Sequence, residues 1–372
     1  MRILTACRTR SAAAALFCFF LVAASYACAQ DEFQGAERIV AVGDIHGGFE
    51  ELTGILRSAK LLDGRNRWAG GKAHLVQTGD LVDRGPNSRK VMDLLMQLEK
   101  QAEQAGGKVH VLLGNHESMN LVGDLRYVSH EEYEAFRTPD SAQLRYQAFE
   151  TLADPAMRAD PKYRKKWEDE HPLGWVEHRQ AFGSTGRYGK WLREKNVVLK
   201  INNALFSHGG ISPKYRSLSL REINERVRAE LRDFSKLKDG MVLDPQGPLW
   251  YRDLADAPES ELMPHVDAVL QAYGVSYLII AHTPTSGVVL PRFGGKLFMI
   301  DVGLSKTYGE AHACLVFEGP QPYALHRGSR VELSPGDDVL LYLRKIELLE
   351  PPGSPLHKYI TRIAGGRAGS SN

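Results

Sequence analysis

The sequence is poor in cysteine and has no charge of one sign to spare. Four of 372 residues are cysteine, and Cys7, Cys18 and Cys28 all lie at the N-terminus, leaving Cys314 alone in the rest of the chain. A disulfide-stapled scaffold and a thiolate zinc site are both excluded by that distribution. Lys and Arg number 47 against 45 Asp and Glu, a formal charge of +2. Broad, unspecific attraction to nucleic acid is excluded, although a local basic site is not. Long apolar runs are also missing beyond the first residues, so no later segment reads as a bilayer span. What remains, 43% apolar and 25% charged residues, is the composition of a folded globule.

The exception is the N-terminus. Arg2, Arg8 and Arg10 precede an uncharged run from Ala12 to Ala24, which ends near Ala27-Cys28-Ala29. This is the layout of a secretory signal peptide, residues 1–29. The run is short for an anchor helix, and Ser25 stands where a lipoprotein signal carries leucine. Cleavage after Ala29 removes three arginines and three cysteines, so the formal charge falls from +2 to −1. The expected location is the periplasm or outside the cell, with no stable membrane insertion. Cys314, in an apolar strand, reads as an inert core thiol.

From Arg38 onward, short β-branched runs alternate with amphipathic stretches. Strands are expected at Arg38–Val42, Ala73–Gln77 and Lys108–Leu113, and helices at Glu50–Lys60 and Ser88–Gln104. Each strand runs into a Gly-polar turn, the βαβ pattern with chemistry at the strand C-terminal edge. Residues 121–193 are polar with patchy periodicity and read as a helical insertion. Further strands are expected at Val197–Ile201, Leu205–Ser207, Tyr277–Ala281, Leu297–Ile300, Ala313–Phe317 and Tyr323–His326, with an antiparallel second half. Residues 30–350 thus read as one α/β domain, followed by a loosely ordered tail, 351–372, rich in Pro and Gly.

Five segments carry the chemistry: Gly43-Asp44-Ile45-His46-Gly47, Gly79-Asp80-Leu81-Val82-Asp83-Arg84-Gly85, Gly114-Asn115-His116-Glu117, Ser207-His208-Gly209-Gly210 and Ala281-His282-Thr283-Pro284. Each alone is an ordinary turn. Together, at the same edge of a sheet, they gather oxygen and imidazole ligands without thiolate, which suits Mn, Fe or Zn.

These ordered motifs resemble the calcineurin-like metallophosphoesterase superfamily. Asp83-Arg84-Gly85 and the His208-Gly209-Gly210 pair resemble its phosphoprotein phosphatase branch. Gly123-Asp124-Leu125-Arg126-Tyr127, the long insertion and Trp250-Tyr251-Arg252 are similar to the Shewanella-like protein phosphatases. The resemblance implies an α+β sandwich of four layers, with mixed central sheets flanked by helices. It implies two divalent ions, one held by Asp44, His46 and a bridging Asp80, the other by Asp80, Asn115, His208 and His282. Such a pair activates a hydroxide for in-line attack on phosphorus. It further implies that His116 is the general acid, oriented by Asp83, and that Arg84 and Arg252 grip the phosphoryl oxygens. Glu117 would brace its neighbours, and Tyr308 belongs to a loop over the site in related enzymes. His74, His110, His265, His312 and His326 lack partner motifs and read as structural.

The expected activity is that of a phosphomonoesterase on phosphorylated protein (phosphoserine, phosphothreonine or phosphotyrosine) or on a small phosphate ester, with no nucleic-acid partner. The alternatives are a nucleotide hydrolase similar to diadenosine tetraphosphatases, a phosphodiesterase of the same fold, or a binding module without turnover. The last conflicts with the complete set of ligand and acid positions.

Overall fold

The computed structural model describes residues 30–333 and 339–368. Residues 1–29, where a signal peptide is expected, and the end of the tail, 369–372, lie outside the described residues. In chain order the elements are β1 (Glu32–Phe33), β2 (Arg38–Val42), α1 (Phe49–Ser58), β3 (His74–Gln77), α2 (Ser88–Gln104), β4 (Lys108–Val111) and α3 (Asn115–Val122). Five helices follow: α4 (His130–Glu134), α5 (Ser141–Leu152), α6 (Pro161–Glu170), α7 (Trp175–Phe182) and α8 (Arg187–Leu192). Then come β5 (Val198–Ile201), β6 (Ala204–Ser207), α9 (Leu220–Arg232), α10 (Asp253–Asp256), α11 (Glu259–Tyr273), β7 (Tyr277–Ile280), β8 (Leu290–Arg292) and β9 (Leu297–Met299). The chain closes with β10 (Ala313–Glu318), β11 (Pro322–His326), β12 (Ser329–Glu332), α12 (Val339–Glu347) and α13 (Pro355–Ala368).

The strands form two mixed six-stranded sheets, ordered β12-β11-β10-β2-β3-β4 and β1-β5-β6-β7-β9-β8. In the first, β2, β3 and β4 are parallel, as the intervening α1 and α2 require. In the second, β6, β7 and β9 are parallel. Phe206 on β6 and Tyr277 on β7 meet Phe317 on β10 with ring centroids 6.2 and 5.6 Å apart, so the two sheets share one core. Helices flank this α/β sandwich.

Two expectations need correction. Strands after Leu297 do not form one antiparallel unit. β9 lies parallel to β7 in one sheet, while β10, β11 and β12 make an antiparallel meander in the other. Nor is the segment after Glu350 loose throughout: α13 forms there, with Leu356 and Ile360 buried in the shared core. Helices α9 and α11 were not anticipated, although α9 opens with a capping box, Ser219 and Glu222, and buries Ile223, Val227 and Leu231 at helical spacing.

The sheets also meet at their C-terminal ends. Gly43, which follows β2, lies so close to the Ile300 carbonyl that a methyl group there would overlap it. Gly43→Ala is therefore expected to destabilise the protein by about 1–3 kcal/mol through overpacking of backbone against backbone. Denaturant unfolding of the two proteins checks this.

Candidate active site

Six strands of the two sheets end at one place. Asp44 and His46 follow β2, Asp80, Asp83 and Arg84 follow β3, and Asn115 and His116 open α3 just beyond β4. His208 follows β6, His282 follows β7 and Asp301 follows β9. All except Arg84 among these are buried side chains. The loops are sharply turned: His46, Asp80, Asp83, Arg84 and His282 have φ between 45° and 71°. Non-glycine residues in that region cost about 1–3 kcal/mol each and persist only where the surroundings over-determine them.

The over-determination is visible around Asp80. Its carbonyl accepts the Ile45 and His46 N–H groups at 2.8 and 2.9 Å. Its carboxylate accepts the His116 N–H at 3.0 Å and lies 3.4 Å from His208 Nε2, 3.7 Å from His46 Nε2 and 3.9 Å from His116 Nε2. Burial alone would raise this carboxyl, but the facing His208, His116 and His46 outweigh it and hold it well below the usual range. Asp44 goes the other way. Burial and the facing Asp301 and Asp80 carboxylates push it well above the usual range. The same burial lifts Asp301 to about 6.

The imidazoles are oriented by backbone carbonyls. His46 Nδ1 pairs with Val82 O at 3.0 Å and His208 Nδ1 with Thr78 O at 2.9 Å, which turns each Nε2 inward. His208 Nε2 lies 3.0 Å from Asn115 Oδ1 and 3.1 Å from His282 Nδ1. His282 Nε2 is buried without a partner. Burial lowers His46 to about 4 and lowers His282 further, so both rings stay neutral. Imidazoles, carboxylates and an amide oxygen, with the outer ring nitrogens of His46 and His208 tied to backbone, are the donor set of a divalent-cation centre. His46, Asp80 and His116 bring donor atoms within 4.8 Å of one another, and so do Asp80, His208 and His282. The residues fit divalent metals.

His116 and Asp83 form the closest polar pair of the site, Nδ1 to Oδ2 at 2.6 Å. Burial lowers the imidazole pKa, but Asp80 and Asp83 outweigh it, so His116 ends above its ordinary value. Arg84 stacks on the Tyr127 ring at 4.3 Å and lies 5.6 Å from that of Tyr308, whose ring is 5.4 Å from His46. Arg252 is exposed and donates through Nη1 to His282 O and Thr283 Oγ1, both at 2.9 Å, which places it beside the His282 loop. Glu117 is fully buried and accepts the Asp80 and Gly114 N–H groups on one oxygen and Leu81 and Val82 on the other. Burial and Asp80 raise it to about 7, against those four donors.

Two residues of the site were not singled out from sequence. Asn120 donates to Asp83 Oδ1 at 2.9 Å and to His116 O at 3.0 Å, and its signal was its place one helical turn after His116. Asp301 lies at a strand end like the others, but its glycine, Gly303, follows the acid rather than preceding it. Of the histidines read as structural, His74 and His110 bond each other, His265 bonds Ile211 O and His326 bonds Glu350. Burial pushes the Cys314 thiol to about 12.

Residues 37–286 match the family model described as calcineurin-like phosphoesterase. The chain belongs to that family. It is 29% identical to Shewanella-like protein phosphatase 2 of Arabidopsis thaliana, over 74% of each chain. The crystal structure of a cold-active protein-tyrosine phosphatase from a psychrophilic Shewanella species superimposes with a TM-score of 0.64 at 31% identity, covering 82% of both chains. A symmetrical bis(5'-nucleosyl)-tetraphosphatase of Chromobacterium violaceum matches at 25% identity over 77% of this chain and 94% of that one. Membership of this family makes the protein a hydrolase acting on phosphate esters.

Glu117→Gln keeps the shape of the brace but puts an N–H₂ group against backbone donors. It is expected to weaken metal retention about 10- to 100-fold, the usual effect of losing such an outer partner. Metal analysis after dialysis against a graded chelator checks this.

Proposed function

We propose that this chain is a dinuclear-metal phosphomonoesterase acting on phosphorylated proteins. The observation that carries the reading is the 2.6 Å Asp83–His116 pair set beside the Asp80 carboxylate. Asp44, His46 and Asp80 would hold one divalent ion, and Asp80, Asn115, His208 and His282 a second. Manganese, iron and zinc all suit these donors. When bound, the two ions supply charge neutralisation for the phosphoryl oxygens and activation of water.

The chain's own residues do the rest. His116 donates from Nδ1 to Asp83, so its Nε2 carries the proton that the leaving oxygen takes up. Arg84, held flat on Tyr127, offers a planar fork for two phosphoryl oxygens. Arg252 sits beside His282 and offers a second guanidinium. Protein substrates are favoured by the relatives whose names describe protein phosphatases, and dinucleotides by the tetraphosphatase relatives, so the two are separated by assay. The signal-like N-terminus supports action outside the cytoplasm.

The manganese-loaded chain from Gln30 onward is expected to turn over a phosphotyrosine or phosphoserine peptide far faster than diadenosine tetraphosphate. Faster cleavage of the dinucleotide overturns the reading. His116→Asn should lower kcat on phosphoserine about 10²- to 10⁴-fold. A raised imidazole pKa keeps the donor protonated below that value, so the rate on phosphoserine should fall as pH rises through it, above the ordinary imidazole range.

A further inference from the structure

Asp83 and Arg84 are consecutive residues with left-handed backbone, φ 71° and 65°. The segment that stabilises this turn from outside is the helical insertion. The Arg84 N–H donates to Tyr127 O at 3.0 Å. The Asp83 N–H and the Asp83 carboxylate face the side chain of Glu132, on α4. Glu132 is fully buried, and neither of its carboxyl oxygens has a partner at ordinary hydrogen-bond geometry. The Ser88 hydroxyl also faces it, itself buried and without a geometric partner. From the opposite side, Asn120 bonds Asp83 Oδ1, and Arg179 on α7 donates to the Asn120 carbonyl at 2.7 Å.

A buried acid without a cation is unfavourable unless it is neutral or has work to do at that position. Burial and the facing Asp83 hold Glu132 well above the usual carboxylate range. In its neutral form a carboxyl packed against the Asp83 turn adds no charge next to the Asp83–His116 pair.

We propose that Glu132 is a positioning residue through which the insertion fixes Asp83, and through Asp83 the imidazole of His116, in the orientation that donates a proton. The proposal rests on the reading of His116 as proton donor. It separates the insertion's contribution to the chemistry from any contribution to substrate choice.

The test compares two substrates in the full manganese-loaded chain. A phosphoserine peptide needs a proton on its leaving oxygen, whereas p-nitrophenyl phosphate has a leaving group stable as an anion. Glu132→Ala is expected to lower kcat on phosphoserine about 10- to 100-fold and on p-nitrophenyl phosphate less than about threefold, with KM little changed. Glu132→Gln, isosteric with the neutral acid, should recover most of the phosphoserine rate. Glu132→Asp, which withdraws the carboxyl by one methylene, should not. Equal losses on both substrates, or an Asp variant matching the Gln variant, overturn the proposal. If the Ala variant does not fold, the Gln and Asp pair decides alone. His116→Asn is the control: without the same discrimination between leaving groups, the proton-donor reading fails, and the proposal with it.

Discussion

Four of the six strand ends that build the site are tied together at Asp80. Its carbonyl holds the Asp44–His46 turn, its amide is held by Glu117, and its carboxylate takes the His116 amide and faces three imidazoles. A single residue thereby joins β2, β3, β4 and β6 through backbone and side chain at once. Its left-handed backbone, φ 55°, is affordable only because all of those contacts favour the same geometry. The strain and the site are one feature: relaxing the turn would scatter the ligands.

The electrostatics follow from the same crowding. Asp44, Asp80, Glu117 and Asp301 are buried together with few cations of the chain near them. Burial drives Asp44, Glu117 and Asp301 up, whereas the imidazoles facing Asp80 outweigh its burial and drive it down. A chain with formal charge near zero gains little long-range attraction for a phosphate dianion. Anion binding must then arise locally, from metals in this acidic nest and from Arg84 at its rim.

Much of this was legible in the sequence. The strands that lead to Asp44, Asp80 and Asn115 are short apolar runs followed by glycine, and those that lead to His208 and His282 are short apolar runs that end at the histidine turn. The site residues quoted from those motifs converge at one edge. Asp301 was harder, because Ile300-Asp301-Val302-Gly303 reads as the end of a strand, and its value comes from facing Asp44 across the junction of the two sheets. The α13 helix was hidden by composition: Pro351-Pro352-Gly353 signals a break, but Leu356 and Ile360 downstream find the shared core, which no local pattern reveals.

The insertion was the least readable segment for a physical reason. Hydrophobic periodicity reports a helix only when its buried face meets an apolar surface. Here part of the buried face meets the back of a polar site. Glu132 faces Asp83, Arg179 reaches Asn120, and Tyr127 offers its carbonyl to Arg84. Glu177 and His178 are also buried, the latter against Tyr133, Phe136 and Phe182. Side chains that look solvated in the sequence are therefore interior ones. The patchiness of the pattern marks where the insertion is coupled to the chemistry, and a segment with a cleaner apolar stripe could pack on the sandwich but could not support the Asp83 turn from behind.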